Sequence, residues 1–296
     1  MPQSDMPRIA FVGLGNMGMP MATRLVEAGY PVVGFDVAEP VRAAFVAAGG
    51  ASADTLGDVV TGVDIVILML PDSKVVGAVM SDPALRAQLQ PNTMVIDMSS
   101  SEPIKTRALA AQLDALGVVL IDAPVSGGVK GAVNGTLTIM VGGPATVIDT
   151  ALGVLEHLGK PVHAGPVGSG HAIKALNNLL SATHLAVTSE AMVAGKRFGL
   201  DPEVMLSIFN SSSGRSGSTE NKWPNFILPG GYDSGFGLRL MLKDMRTATD
   251  LADQLQAPDQ LGKAAVELWA RAADELPPTA DHTEIAKWLA QQDGGL

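Results

Sequence analysis

The chain has 296 residues, 47% of them apolar, with 30 acidic against 20 basic side chains and no cysteine, for a formal net charge of −10. That length and apolar content suit about two globular domains and exclude a disordered or fibrous chain; the longest strongly apolar stretch, IVILML at 65–70, falls far short of the ~20 residues that cross a bilayer. Disulfides, thiolate zinc sites and cysteine nucleophiles are excluded, and without a Lys/Arg cluster interleaved with aromatics nucleic acid is not an expected partner.

The first residues, MPQSDMPR, lack a basic start, an apolar core and a small-residue cleavage site, so the expectation is a cytoplasmic protein with no membrane association. RIAFVGL (8–14), PVVGFD (31–36), DIVILML (64–70), TMVIDMS (93–99) and VVLIDAP (118–124) read as short strands. MPMATRLVEAG (19–29) and TRALAAQLDALG (106–117) have helical spacing and end at Gly29 and Gly117, as helix C-termini often do. Strands alternating with helices predict a parallel sheet. TLTIMVGG (136–143) and PVHAGP (161–166) close it, and from Gly168 onward the pattern is helical, with loops over 210–224 and 228–237.

FVGLGNMGMP places Gly13, Gly15 and Gly18 directly after a strand and before a helix, the context of a dinucleotide fingerprint. Gly13 permits the tight turn, Gly15 lets a pyrophosphate approach the backbone, and Gly18 lets helix and strand pack closely, with Leu14, Asn16 and Met17 completing the loop. Asp36 ends the second strand at about the spacing at which a carboxylate accepts hydrogen bonds from the adenosine ribose. No Arg or Lys directly follows it, so NAD is favoured as cofactor over NADP, which stays possible; Arg42 is the basic residue NADP use would call on. The competing interpretation is a glycine turn in an unrelated α/β fold with Asp36 a plain strand end. Met69, Leu70, Pro71 and Ser99 follow strand C-termini, the edge where such sheets bind ligands.

In DAPVSGGVKGAVNGTLTIMVGG (122–143), a strand runs into Ser126-Gly127-Gly128, where backbone N–H groups are free to converge on an anion such as a carboxylate and Ser126 adds a hydroxyl. A glycine hairpin that only reverses the chain fits equally, and Lys130 reads as a solvated charge. In GPVGSGHAIKALNNLL (165–180), Lys174 is the only formally charged residue between Ala172 and Ala186, histidine aside. On a helix Lys174 and Asn178 share a face one turn apart, while Asn177 points away. A lysine there either serves as a proton acceptor or reaches solvent or an acid. The five histidines have no spacing that makes a metal site, so no metal is expected; His171, one turn before Lys174, is structural or lines the same region. Arg215 and Trp223 belong either to plain surface or to a segment that closes over substrate.

GLGNMGMPMA, DAPVSGG, GSGHAIKALNN and LMLKDMRTATD resemble the four signature segments of the β-hydroxyacid dehydrogenases, whose best-known member type is 3-hydroxyisobutyrate dehydrogenase, and they occur in the family order across residues 13–250. The resemblance implies a Rossmann-type α/β domain over 1–165, a long connecting helix, and an all-α domain over 166–296 that helps form a homodimer or homotetramer. It implies oxidation of a hydroxyl β to a carboxylate, with Lys174 as general acid/base and Asn178 beside it. Ser126, Gly127 and Gly128 then hold the substrate carboxylate, Phe236 lines the pocket, and Lys243, with Asp244 as its neighbour, lies close to the cofactor. An imine reductase on the same fold and a dinucleotide-binding protein without turnover are the alternatives. Hydroxyisobutyrate, glycerate or tartronate semialdehyde, threonate, serine and aryl-serines are all open as substrates.

Overall fold

The structure is a computed structural model, and it describes residues 6–292. The described residues form two compact units that divide after Lys174.

Among the described residues the first unit is built on one nine-stranded sheet. Its strands are β1 (Ile9–Val12), β2 (Val32–Phe35), β3 (Ala51–Ser52), β4 (Ile65–Leu68), β5 (Met94–Asp97), β6 (Val119–Asp122), β7 (Val125–Ser126), β8 (Leu137–Gly142) and β9 (Gly159–Gly165). The first six run parallel in the order β3-β2-β1-β4-β5-β6, β8 lies antiparallel to β6 and β7, and β9 pairs parallel with β8. β1, β4 and β5 are buried at every position, as apolar runs must be when helices cover both faces. Side-chain alternation sends Ile9, Phe11 and Ile67 into one apolar layer and Ala10, Val12 and Val66 into the other. The chain leaves β1 toward β2 on one side and returns to β4 on the other, and that reversal opens a crevice at the strand C-termini. β3, two exposed residues at the sheet edge, has no apolar run to announce it.

A 30-residue helix, Ser169–Phe198, follows the sheet. Among the described residues the second unit is helical, with Pro202–Asn210, Leu238–Gln254, Gln260–Glu275 and Glu284–Gln291 packed around Trp269, Met245 and Ile285. No helix among the described residues is long and apolar enough to cross a membrane.

The expected loop over 210–224 is corrected. Only its first part is irregular; Ser218–Ile227 is a π-helix. Pro224 interrupts the sequence pattern because it has no N–H to donate. In a ladder that bonds five residues back, as Leu228 N–H does to Trp223 O at 2.8 Å, the carbonyl left without a donor is that of Thr219. Asn210 Nδ2 supplies the missing donor at 3.1 Å.

The long helix begins in very close quarters. A Cβ on Gly170 would collide with the Met140 carbonyl oxygen in β8 and crowd the Asp122 carboxylate. Gly170→Ala is therefore expected to cost on the order of 1–3 kcal/mol through forced backbone movement, read as a lowered melting temperature; an unchanged melt would show that the helix start has slack.

Candidate functional site

The glycine loop after β1 is shaped by backbone contacts. Gly13 turns at φ +96°, and a Cβ on it would collide with the Met69 carbonyl oxygen beyond β4. A Cβ on Gly18 would strike the Gly13 carbonyl oxygen. These two glycines are dictated by the fold. Gly15 is different: its φ is unremarkable for an L-residue, and an added Cβ would meet no protein atom within 4 Å. The fold gives no reason for glycine there, so the residue fits a ligand that approaches the backbone.

Asp36 is tied to this loop. Its Oδ2 accepts from Leu14 N–H at 2.9 Å and its Oδ1 from Ala38 N–H at 3.0 Å. Arg42 stands close by but is engaged: Nη1 donates to the Asp36 carbonyl at 2.9 Å and Nη2 pairs with Asp54 at 3.3 Å. Met69 N–H continues the sheet ladder to Val12 O, and Leu70 N–H donates to the fully buried Ser99 hydroxyl at 2.9 Å, so the ends of β4 and β5 are joined just before Pro71.

The second motif carries an interaction that spacing does not reveal. Asp122, at the end of β6, is fully buried; its Oδ1 accepts from Gly168 N–H at 2.6 Å and its Oδ2 from His171 N–H at 2.8 Å. It thus caps the helix that carries Lys174. Burial pushes the Asp122 carboxyl above the usual carboxylate range, and His171 and the two N–H donors pull against that. His171 is structural: Nε2 donates to the Ser99 carbonyl at 3.0 Å, because that oxygen can only accept, and Nδ1 faces Thr106 Oγ1 at 2.8 Å. Asp97 and Asp122 each lie 3.8 Å from this ring.

Four residues beyond Asp122, Ser126 ends β7, and Gly127 and Gly128 turn the chain at φ +128° and +61° into the short helix Gly128–Asn134. The half-buried Ser126 hydroxyl has no hydrogen-bond partner among the described residues, so it is available to a ligand. Lys130 is exposed, as its solvated interpretation requires. Lys174 is buried, with 7% of its surface exposed.

In the second unit, buried Asn178 donates from Nδ2 to Asp244 Oδ2 at 2.7 Å, and Lys243 Nζ lies 3.2 Å from Asp244 Oδ1. Asn177 is exposed. Phe236 packs edge-on to His282 at 5.8 Å between ring centres, and its N–H donates to Asp281 at 3.2 Å. Trp223 belongs to the apolar core of this unit, and the exposed Arg215 pairs with Glu220 at 2.6 Å.

The model for the NAD binding domain of 6-phosphogluconate dehydrogenase matches residues 8–168, and that for the NAD-binding domain of NADP-dependent 3-hydroxyisobutyrate dehydrogenase matches 168–289. The NAD-dependent L-serine dehydrogenase of Pseudomonas aeruginosa is 40% identical over 89% of this chain and 91% of that protein. A 3-hydroxyisobutyrate dehydrogenase from the same organism is 39% identical over 97% of this chain and 100% of its own length. The chain belongs to the β-hydroxyacid dehydrogenase family. The solved 3-hydroxyisobutyrate dehydrogenase of Mycobacterium tuberculosis, studied with L-serine, superposes with a TM-score of 0.91 at 34% identity, covering 96% of this chain and 99% of that one. As a β-hydroxyacid dehydrogenase, the protein is an NAD(P)-dependent oxidoreductase acting on the hydroxyl group of a hydroxyacid. The Gly15 geometry fits such a cofactor. Gly15→Ala is expected to leave thermal melting unchanged while weakening NADH binding by about tenfold or more; parallel loss of stability would assign Gly15 to the fold.

Proposed function

We propose that this dehydrogenase interconverts a small 3-hydroxyisobutyrate-like β-hydroxyacid and its semialdehyde or keto form, with Lys174 as the general acid/base. The observation that carries this reading is Lys174 itself, buried on a helix whose first turn is capped by the strand leading into the Ser126 loop. The similarity to serine and 3-hydroxyisobutyrate dehydrogenases supports the substrate class.

A bound nicotinamide dinucleotide supplies the hydride acceptor or donor. Gly13, Leu14, Gly15, Asn16, Met17 and Gly18 would cradle its phosphates, Asp36 its ribose diol, and Met69, Leu70, Pro71 and Lys243 its remaining contacts, while the fully buried Ser99 would hold Leu70 in place from behind and not touch the dinucleotide. Each Asp36 oxygen takes one backbone N–H and keeps a further lone pair for a ribose hydroxyl. A 2′-phosphate would meet the same carboxylate while Arg42 is held by the Asp36 carbonyl and Asp54, which favours NAD. Ser126 Oγ and the Gly127 and Gly128 backbone would fix the substrate carboxylate, and Phe236 would supply apolar surface. Neutral Lys174 takes the hydroxyl proton in oxidation and its ammonium returns one in reduction. Asn178, one turn along and anchored by Asp244, would hold the lysine or the reacting hydroxyl in line. The exposed stripe Ile173, Leu176, Leu180 and Val187 on the long helix supports a homodimer or homotetramer, and the absence of cysteine accords with a cytoplasmic location.

Lys174→Met should lower kcat by ~10² to 10⁴, the usual contribution of a positioned acid/base, with melting and NADH titration unchanged; a folded, cofactor-binding variant that turns over at the parent rate would sink the mechanism. Ser126→Ala should raise KM for the hydroxyacid more than it lowers kcat, since the contact exists in ground and transition states alike. Weaker cofactor binding with KM unchanged would instead assign the loop to the dinucleotide.

A further inference from the structure

The π-helix carries a lysine that the mechanism above does not use. Lys222 Nζ donates to Ser181 Oγ at 2.6 Å, its one hydrogen bond among the described residues, and it forms no ion pair there. Burial pulls this ammonium down to about 8, with the charge of Asp281 opposing. Asp281 does not serve as its partner, because that carboxylate already accepts from the Ser234 hydroxyl, Gly235 N–H, and the N–H and hydroxyl of Thr283. The neighbouring His282 turns Nδ1 toward Ser234 and the Phe236 carbonyl. Lys222 is partly buried, and the bond to Ser181 occupies one of its three N–H donors, which leaves two to meet a ligand.

Its location says what that is. Ser181 lies three residues beyond Asn178 and seven beyond Lys174. At ~100° per residue the three side chains fall within about 60° of one another on the same helix. Residues three apart bring their Cβ atoms to within about 5–6 Å, so Lys222 is fastened one turn past the amide proposed to line up the reacting hydroxyl. A π-helical segment, uncommon and often found at functional sites, delivers it there.

We propose that Lys222 is a specificity residue that reads the substituent on the substrate carbon bearing the carboxylate, selecting an oxygen there, hydroxyl or carboxylate, over an alkyl group or an ammonium. The inference rests on the hydroxyacid reading above. Compounds HOCH2–CH(X)–COO⁻ isolate it, because they share the carbinol and the carboxylate and differ only in X. An oxygen in X accepts the spare N–H donors of Lys222; a methyl leaves them unmatched; a substrate ammonium is repelled.

The experiment measures kcat/KM with NAD for glycerate, (hydroxymethyl)malonate, 3-hydroxyisobutyrate and serine, on the parent enzyme and on Lys222→Met and Lys222→Arg. The parent should favour glycerate or (hydroxymethyl)malonate over both 3-hydroxyisobutyrate and serine by at least about tenfold, the size of one hydrogen-bonded contact. In Lys222→Met the ratio of glycerate to 3-hydroxyisobutyrate should fall by about tenfold and that of serine to 3-hydroxyisobutyrate should rise; Lys222→Arg should keep the parent order. A parent enzyme that prefers serine or 3-hydroxyisobutyrate overturns the proposal even if a variant does not fold. So does an order that Lys222→Met leaves unchanged. Absence of turnover with all four compounds overturns the hydroxyacid reading itself, and this inference with it.

Discussion

One buried carboxylate sets the reference for much of the first unit. Asp122 ends a strand, holds two N–H groups at the start of the 30-residue helix, and stands four residues before Ser126. Each hydrogen bond to a charged group contributes roughly 1.5–3 kcal/mol, and the same carboxylate left unpaired would cost several. The interaction is therefore unforgiving in both directions, and it joins the segment proposed to hold the substrate carboxylate to the helix proposed to move the proton. The glycine at 170 follows from this arrangement, because the helix must come down onto the sheet closely enough for its N–H groups to reach a side chain that has no freedom to extend.

The glycine loop after β1 shows a different division of labour. Gly13 and Gly18 are required by the path of the chain, since a methyl group at either would strike a backbone carbonyl. Gly15 is required by nothing in the chain. The path of the chain thus constrains Gly13 and Gly18 and leaves Gly15 between them unconstrained, and the side chain of Asp36 is tied to the same loop by accepting the Leu14 N–H.

Where a signal is local, the sequence carries it. Apolar runs buried on both faces announce β1, β4, β5 and β6, and the glycine spacing announces the tight strand-to-helix turn after β1, because each depends on residues close together in the chain. Four family segments in order identified the protein class and with it the helical second domain. The rest depends on distance or on broken local rules. Asp122 meets Gly168 across 46 residues, so its role as a cap has no periodicity to betray it. β3 is two exposed residues that take strand form only because β2 offers a free edge. The stretch over 218–227 reads as a loop because Pro224 and its polar neighbours violate α-helical rules, which a π-helix with a borrowed amide from Asn210 does not need to obey. Trp223 sits in a polar stretch that reads as surface or as a segment closing over substrate, yet it packs into the core of the second unit because the π-helix turns it inward, which local polarity does not reveal.

The long helix also acts as a rotary scale. Lys174, Asn178 and Ser181 share a face only while the number of residues between them is fixed, and one inserted or deleted residue would turn everything beyond it by about 100°. Amino-acid identity along this stretch can drift, side chain by side chain, with each change judged on its own merits. Length cannot drift in the same way, because a single added residue would carry the amide, the serine and the lysine bound to that serine off the face together. Relatives that handle other substrates should therefore differ from this chain at such positions by what they place there, never by how many residues lie between.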